Sequence, residues 1–373
     1  MMPASAARAE SDERVARAWS LLLVGPLPPP SGGMANQTAQ LAAMLAKEGC
    51  RVTVVRVNEP YRPSWVGRIR GARALFRLLP YLFRLAHATQ SADIVHVMAN
   101  SGWAWHLFAA PAIWIARMRG RPVVVNYRGG NADAFFSRQI LLVRPTLASA
   151  SRIIVPSGFL AAVFAKHRLV ASIVPNIVDL DAFKPAPSAP SAPHLIVTRN
   201  LEPVYDIGTA IRAFAIVVQQ HPDARLTIAG TGPSLAELEA LARRLGIAER
   251  VRFTGQLGNE RLPELYRSAT ILLNPSRVDN MPISLLEAMS ARVPIVTTDV
   301  GGIPYLVEHE KSALLVTAGD HAAMADAILR VIGDPGLAER LRAAAREAVL
   351  RHAWSSVRAA LFDVYTASVA CPC

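Results

Sequence analysis

The chain has 373 residues, 52% of them hydrophobic and 18% charged, which excludes a disordered protein and is too long for one ordinary core. Its net charge of +12 sits in one half: residues 1–180 hold 21 Lys+Arg against 8 Asp+Glu, +13, and residues 181–373 hold 19 against 20, −1. Three cysteines, Cys50, Cys371 and Cys373, exclude a disulfide framework, match no zinc spacing and fit a reducing, cytoplasmic setting.

In chain order, residues 1–18 are small, polar and charged and read as a disordered tail. "SLLLVG" (20–25) is too short for a signal peptide or a membrane span and reads as a first buried strand. "MANQTAQLAAMLAKEG" (34–49) has the pattern of an amphipathic helix ending at glycine. "RVTVVRV" (51–57), "DIVHVM" (93–98), "RPVVVNY" (121–127) and "SRIIVPS" (151–157) follow as strands. The apolar stretch 103–120 holds His106 and Pro111 and reads as a buried helix. "KPAPSAPSAP" (184–193) has the composition of an interdomain linker.

The alternation then restarts. "HLIVTRN" (194–200), "ARLTIAGTGP" (224–233), "RVRFTGQL" (250–257), "ATILLNPS" (269–276) and "VPIVTTD" (293–299) are strands, with helices expected at 207–220, 234–245, 260–268 and 283–291. Apolar strands separated by helices predict an α/β chain with two doubly wound parallel-sheet domains, at 19–183 and 194–350. A last helix is expected at about 354–368, within a C-terminal segment 351–373. Such sheets bind ligands beyond the carboxyl ends of their strands, so two of them facing each other would enclose a cleft.

The loops after strands carry the candidate chemistry. Gly32 and Gly33 follow the first strand and precede a helix, where free N–H groups favour an anion. The loop is not G-x-G-x-x-G and no acid stands about 20 residues on, at the end of "RVTVVRV", which disfavours a nicotinamide dinucleotide. Arg199 lies just past a strand, where it can clamp a phosphate or be a plain surface arginine. Gly230 and Gly232 follow another strand, where backbone can approach a ligand. In "RVDNMPISLLEAMS" (277–290), Pro282 suits a helix first turn, with Asp279 just before it and Glu287 in the second turn. Alone, Asp279 could be an N-cap. Apolar neighbours at 285, 286 and 289 favour burial of Glu287, and a buried acid needs a partner. Gly301 and Gly302 stand nearby in sequence.

From residue 20 to 355 the chain resembles the family 4 retaining glycosyltransferases ("glycosyl transferase group 1" type), which have the two-domain GT-B fold. The likeness is carried by "PPPSGGMANQTAQLAAMLAKEGCRVTVV", "DIVHVM", "VPNIVDLDAF", "LTIAGTGP", "VRFTGQL", "LLNPSRVDNMPISLLEAMSARVPIVTTDVGGIPYLV" and "ALLVTAGD" in order. The resemblance implies transfer of a sugar from a nucleotide-diphosphate sugar, bound in the C-terminal domain, to an acceptor held by the N-terminal one. It places Asp279 on the transferred sugar, Glu287 on the ribose, Arg199 on the phosphates and Gly33 facing the diphosphate. Backbone N–H groups of Asn280, Met281 and Pro282 would hold sugar hydroxyls, with Ser284, Leu285, Gly301 and Gly302 beside them. The last helix would cross back to the first domain.

Four departures stand out. The first acid is Asp rather than Glu. No Lys follows Arg199, where Tyr205 and Asp206 occupy the region. The family's His before a Gly falls at "NYRGG", with Arg128 nearest, and Ile177 replaces a Gly between Asn176 and Asp179. Arg128 could stabilise the leaving diphosphate electrostatically. His96 is a different position and reads as a packed strand residue. "DLD" (179–181) looks like a metal motif but lies outside that context, so neither metal nor other cofactor is expected.

Residues 60–92 hold six arginines and no acid. A helix over 64–79 would set Arg68, Arg70, Arg73 and Arg77 beside Trp65 and Phe76, a composition suited to an anionic membrane or a lipid-linked acceptor, or to a solvated face over a core. No readout module accompanies the charge, so nucleic acid is not an expected partner. The reading is therefore a metal-independent hexosyl-type transferase using a UDP or GDP sugar and a lipid-linked or glycan acceptor. It would be cytoplasmic, at the inner face of the plasma membrane. The alternatives are a non-catalytic sugar-nucleotide or glycan binder, a nucleotide-sugar epimerase, and a basic membrane- or nucleic-acid-binding protein without an enzyme site.

Overall fold

The apolar runs of the first half pair as parallel strands. In the computed structural model, which describes residues 19–29, 32–60, 72–186, 192–258 and 260–370 (backbone only at 72–75), the elements are these. β1 (Ser20–Gly25) leads through α1 (Gly33–Lys47) to β2 (Arg51–Arg56), and α2 (Ala72–Ala88) leads to β3 (Ile94–Ala99). A π-helical turn, Trp105–Ala109, runs into α3 (Ala110–Met118), then β4 (Val123–Tyr127), α4 (Ala132–Ala148), β5 (Arg152–Val155), α5 (Gly158–Lys166) and β6 (Ser172–Ile173). The strand order is β2-β1-β3-β4-β5-β6, with every pairing parallel. β3 and β4 are buried at every position, as strands covered on both faces must be.

Right-handed crossovers put α1 on one face of this sheet and α2, α3, α4 and α5 on the other. On that face each helix packs on the next. Tyr81 Oη donates to the Phe108 carbonyl at 2.6 Å, and Trp114 Nε1 donates to Thr146 Oγ1 at 3.1 Å.

The second half holds β7 (His194–Val197), α6 (Ile207–Gln220), β8 (Arg225–Ala229), α7 (Leu235–Arg244), β9 (Val251–Gly255) and α8 (Leu262–Arg267). Then come β10 (Ile271–Asn274), α9 (Ile283–Ser290), β11 (Ile295–Thr298), β12 (Leu314–Val316), α10 (His321–Gly333), α11 (Pro335–Val349) and α12 (Trp354–Ala370). Its sheet is also six-stranded and parallel, ordered β12-β11-β10-β7-β8-β9. One core fills the α6/α10 side and another the α9 side.

Two compact units result, 1–177 with 355–373 and 178–354. The chain passes from one unit to the other before the expected linker, because Val178 and Phe183 belong to the second core. Phe183 meets the Tyr266 ring edge-on with centroids 5.4 Å apart, and the Val178 N–H donates to the His352 carbonyl at 3.0 Å. Residues 187–191 of the linker lie outside the described residues. α12 belongs to the first unit, where Trp19 stacks on Phe362 at 5.8 Å and Arg358 pairs with Glu48 at 2.7 Å. No helix among the described residues is long and apolar enough to cross a membrane.

Candidate functional site

An open parallel sheet leaves a crevice where its strand order reverses. In the second unit that place is between β7 and β10, with β8 and β9 on one side and β11 and β12 on the other. Arg199 follows β7 and Asp279 follows β10, so the fold alone brings them to the same crevice. Arg199 Nη2 forms an ion pair with Asp279 Oδ2. The same guanidinium lies over the Tyr205 ring, 4.2 Å from its centre. Tyr205, in the region where the resemblance implies a Lys, thus contributes a stacking surface and no positive charge.

Asp279 is fixed by its own loop: Oδ1 accepts the Asn280 N–H at 3.0 Å and Oδ2 accepts from Ser276 Oγ at 3.4 Å. Burial raises its carboxyl above the ordinary value, against Arg199 and these hydrogen bonds, which lower it.

Glu287 is buried one turn into α9 and does have a partner. Tyr266 Oη, on α8, donates to Glu287 Oε2 at 2.8 Å and lies 3.1 Å from the Ser284 carbonyl. With that single proton committed, Thr198 Oγ1 is the donor in its 2.7 Å contact with Tyr266 Oη. Burial pushes Glu287 up to about 7, the Tyr266 hydrogen bond and the Arg199 charge pulling the other way. Thr198 precedes Arg199, so the two acids share one polar cluster. Sequence reasoning missed Tyr266 and Thr198: a Tyr in a short helix and a Thr at a strand end carry no signal until the fold joins them.

Two buried donors of this cluster, Arg199 Nε and Ser284 Oγ, have no partner among the described residues. Leaving such an atom unsatisfied costs about 1–3 kcal/mol, a cost that an incoming acceptor removes.

Several expectations are corrected. Pro282 has no N–H to offer, and it forms the N-cap of α9 rather than its first helical residue. The Asn280 N–H is spent on Asp279, and the Leu285 N–H donates to the Pro282 carbonyl at 3.1 Å while its side chain lies in the core. Gly230 and Gly232 do approach something closely, but it is the chain itself. A Cβ on Gly230 would stand 2.0 Å from the Arg199 carbonyl oxygen, and one on Gly232 would stand 2.4 Å from that of Leu201. These glycines seat the Arg199 loop. Gly301, at φ +57°, and Gly302 seat the other: their added Cβ atoms would stand 2.1 Å from the Asp279 carbonyl oxygen and 1.7 Å from that of Asn280. The Gly302 N–H donates to the Asp279 carbonyl at 2.9 Å.

The remaining candidates belong to the first unit. Gly32 caps α1 and Gly33 opens it, after β1 at that sheet's own reversal between β1 and β3. A Cβ on Gly32 would meet nothing within 4 Å, so the loop is open there. Arg128 follows β4; its Nε donates to Asn126 Oδ1 at 3.1 Å and its Nη1 to Asn176 Oδ1 at 2.5 Å. Burial lowers this guanidinium to about 10. Asn126 Nδ2 faces His96 Nε2 at 3.1 Å, which leaves Nδ1 as the protonated nitrogen that donates to Tyr365 Oη at 2.8 Å. His96 is therefore a packed strand residue, held to about 3 by burial and by Arg128, and it ties β3 to α12.

In the "DLD" segment, Asp179 Oδ1 accepts the N–H groups of Asp181 and Ala182, both at 3.0 Å, as a turn does. Among the described residues no three His, Cys, Asp or Glu side chains cluster as metal ligands. Of the basic helix expected at 64–79, residues 72–79 are helical, within α2 (Ala72–Ala88), and residues 64–71 lie outside the described residues. Trp65, Arg68 and Arg70 lie outside the described residues, and only the backbone of Arg73 is described. Phe76 is exposed and Arg77 half-buried.

The sequence model for "Glycosyl transferases group 1" matches residues 181–348, and that for "Glycosyltransferase Family 4" matches residues 31–182. A D-inositol 3-phosphate glycosyltransferase from Streptomyces avermitilis is 30% identical over 247 residues, 60% of this chain and 53% of that protein. A GDP-mannose-dependent alpha-(1-6)-phosphatidylinositol monomannoside mannosyltransferase from Mycobacterium tuberculosis is 31% identical over 208 residues, 51% of this chain and 54% of that one. The chain spans about half the length of the curated relatives it matches.

Among solved structures, sucrose-phosphate synthase from Thermosynechococcus elongatus superposes with a TM-score of 0.73 at 21% identity, over 93% of this chain and 98% of that one. Anabaena HepE in complex with UDP-glucose gives 0.73 at 19% identity, over 93% and 99%. These likenesses are of fold, the two-domain α/β GT-B fold. With one family model on each parallel-sheet unit, the chain belongs to the family 4, group 1 type, glycosyltransferases.

Proposed function

We propose that this chain transfers a hexosyl group, with retention, from a nucleotide-diphosphate sugar to a lipid-linked or cell-surface glycan precursor. The observation that carries the donor site is the pair of buried donors without partners, Arg199 Nε and Ser284 Oγ, beside Asp279 at the start of α9. An anionic, hydroxyl-rich ligand satisfies both. In this reading Arg199 and the N-terminus of α9 take the diphosphate, Asp279 a sugar hydroxyl, and Glu287 the ribose. Met281 and Ser284 line the sugar end. As the bond from the sugar to the diphosphate breaks, charge grows on the leaving oxygens, and Arg199 is the cation assigned to stabilise it. No metal is required for that charge, so chelation leaves the rate unchanged.

A UDP or GDP donor is supported by HepE, solved with UDP-glucose, and by the relative named for GDP-mannose. The phosphatidylinositol monomannoside in that relative's name supports a lipid-linked acceptor here. A second reading, a non-catalytic binder, is favoured by one observation: Arg199 is already countered by Asp279, and Tyr205 adds no cation.

Thermal melts with UDP, GDP and ADP, beside Glu287→Ala, decide the donor site. Selective binding at ~100 times Kd adds about 2.7 kcal/mol and a shift of several degrees. A shift with one nucleotide, lost in the variant, is expected; no shift with any of them overturns the assignment. Nucleotide release from the matching sugar donor, with and without EDTA, then separates transferase from binder.

A further inference from the structure

The helical layer α2–α5 covers one face of the first sheet, and its outer surface is unusual for a water-facing layer. On α2, Leu79 and Phe83 lie one turn apart and are 57% and 77% exposed. On α3, Trp114 and Met118 lie one turn apart and are 43% and 75% exposed. On α4, Leu141 and Leu142 are 86% and 71% exposed. The stripes are neighbours: Trp114 is bonded to Thr146 across the α3/α4 seam, and Leu142 lies one turn before Thr146 on that side of α4. Single exposed apolar residues are ordinary, but a run of large ones across adjacent helices marks an interaction surface.

The charge on the same layer says which kind. Residues 72–148 contain nine arginines, of which Arg128 is half-buried after β4 and off this surface, no lysine and two acids. Both acids are already engaged: Asp93 Oδ2 accepts the Ser20 N–H at 2.7 Å, and Asp133 pairs with Lys166 and His167. Arg119, Arg138 and Arg144 are exposed among the apolar stripes, as is Arg84, which pairs with Glu59 at 3.1 Å. A second copy of this face would bring like charges together, which disfavours self-association.

We propose that the α2–α4 face is a docking surface for an anionic lipid bilayer, with Phe83, Trp114, Met118 and Leu141 entering the headgroup region and the arginines meeting lipid phosphates. The contact so placed lies on α2, α3 and α4 and does not depend on the donor chemistry proposed above.

The test is flotation of the full chain with vesicles of phosphatidylcholine alone or mixed with phosphatidylglycerol. Several-fold more protein should float with the anionic vesicles, and added salt should reduce it. Phe83→Ser with Leu141→Ser should abolish most of the binding without lowering the melting temperature. Arg119→Glu with Arg138→Glu should remove the preference for anionic lipid. Equal flotation with both vesicles, no flotation, or a dimer in light scattering that dissociates on Phe83→Ser would each overturn the proposal.

Discussion

Glu287 is buried beside Tyr266, and its carboxyl is pushed from an ordinary 4.5 up to about 7. Below pH 4.5 the acid is protonated in both folded and unfolded chains and costs nothing extra. As pH rises through 4.5 to 7 the unfolded chain ionises first, so the folded state loses stability across that window and stays lower above it. Glu287→Gln keeps an acceptor for Tyr266 and carries no charge. The variant should match the wild type below pH 4.5 and be about 2–3 kcal/mol more stable at pH 8, read from urea titrations at both pH values. Its nucleotide-dependent shift should shrink, since the ribose loses an anionic acceptor. Equal stabilities at pH 8 would contradict the burial argument. That the residue is a buried acid was legible in its apolar neighbours at 285, 286 and 289. That Tyr266 and Thr198 complete the pair was not, because they come from α8 and the end of β7, and only the sheet order unites them with α9.

At the scale of elements, the site is two loops at the reversal of one sheet, each seated by a glycine pair from a neighbouring loop. The glycines were legible as places where backbone comes close. The partner was not, since sequence does not distinguish a ligand phosphate from a carbonyl of the chain's own loop. The distinction has a measurable consequence. A methyl group on Gly302 would stand 1.7 Å from the Asn280 carbonyl oxygen, with backbone rather than a pliant side chain in the way. Gly302→Ala should therefore cost about 3 kcal/mol and displace Asp279, lowering nucleotide affinity and melting temperature together. A glycine that served only ligand approach would leave the unliganded melting temperature unchanged. α2 illustrates the converse difficulty: arginines interleaved with aromatics predicted a helix ending at 79, but it runs on to Ala88, with Pro80 inside it rather than ending it.

For the whole molecule, the two-domain organisation was legible because the alternation of strand and helix stops at a Pro/Ala/Ser stretch and restarts. The unit boundary was not, because Val178 and Phe183 join the second core through contacts with Tyr266 and His352 that no local pattern announces. The two units also differ in how they meet acid. Each holds a buried neutral histidine: His96 in the first, lowered to about 3, and His194 in the second, lowered to about 4, both chiefly by burial. As pH falls below about 6.5 the unfolded chain takes up a proton at each that the folded unit does not, so each contributes a loss of up to about 1.4 kcal/mol per pH unit. In the second unit Glu287 works in the opposite sense between 4.5 and 7, and Asp279, raised by burial, in the same sense as Glu287. Among the described residues the first unit has no such offset; Asp133, held below its ordinary value by Lys166 and His167, adds a loss only in stronger acid, below about 3.8. Between pH 6.5 and 4.5 the first unit should therefore weaken while the second stays nearly level. Hydrogen exchange should show protection falling in β3 and β4 but not in β7 and β10. His96→Gln, which can still accept from Asn126 and donate to Tyr365, should flatten the first unit's dependence at some cost in stability near pH 7. Parallel loss of protection in both sheets, or an unchanged slope in the variant, would mean that the buried histidine does not set the acid limit of the first unit.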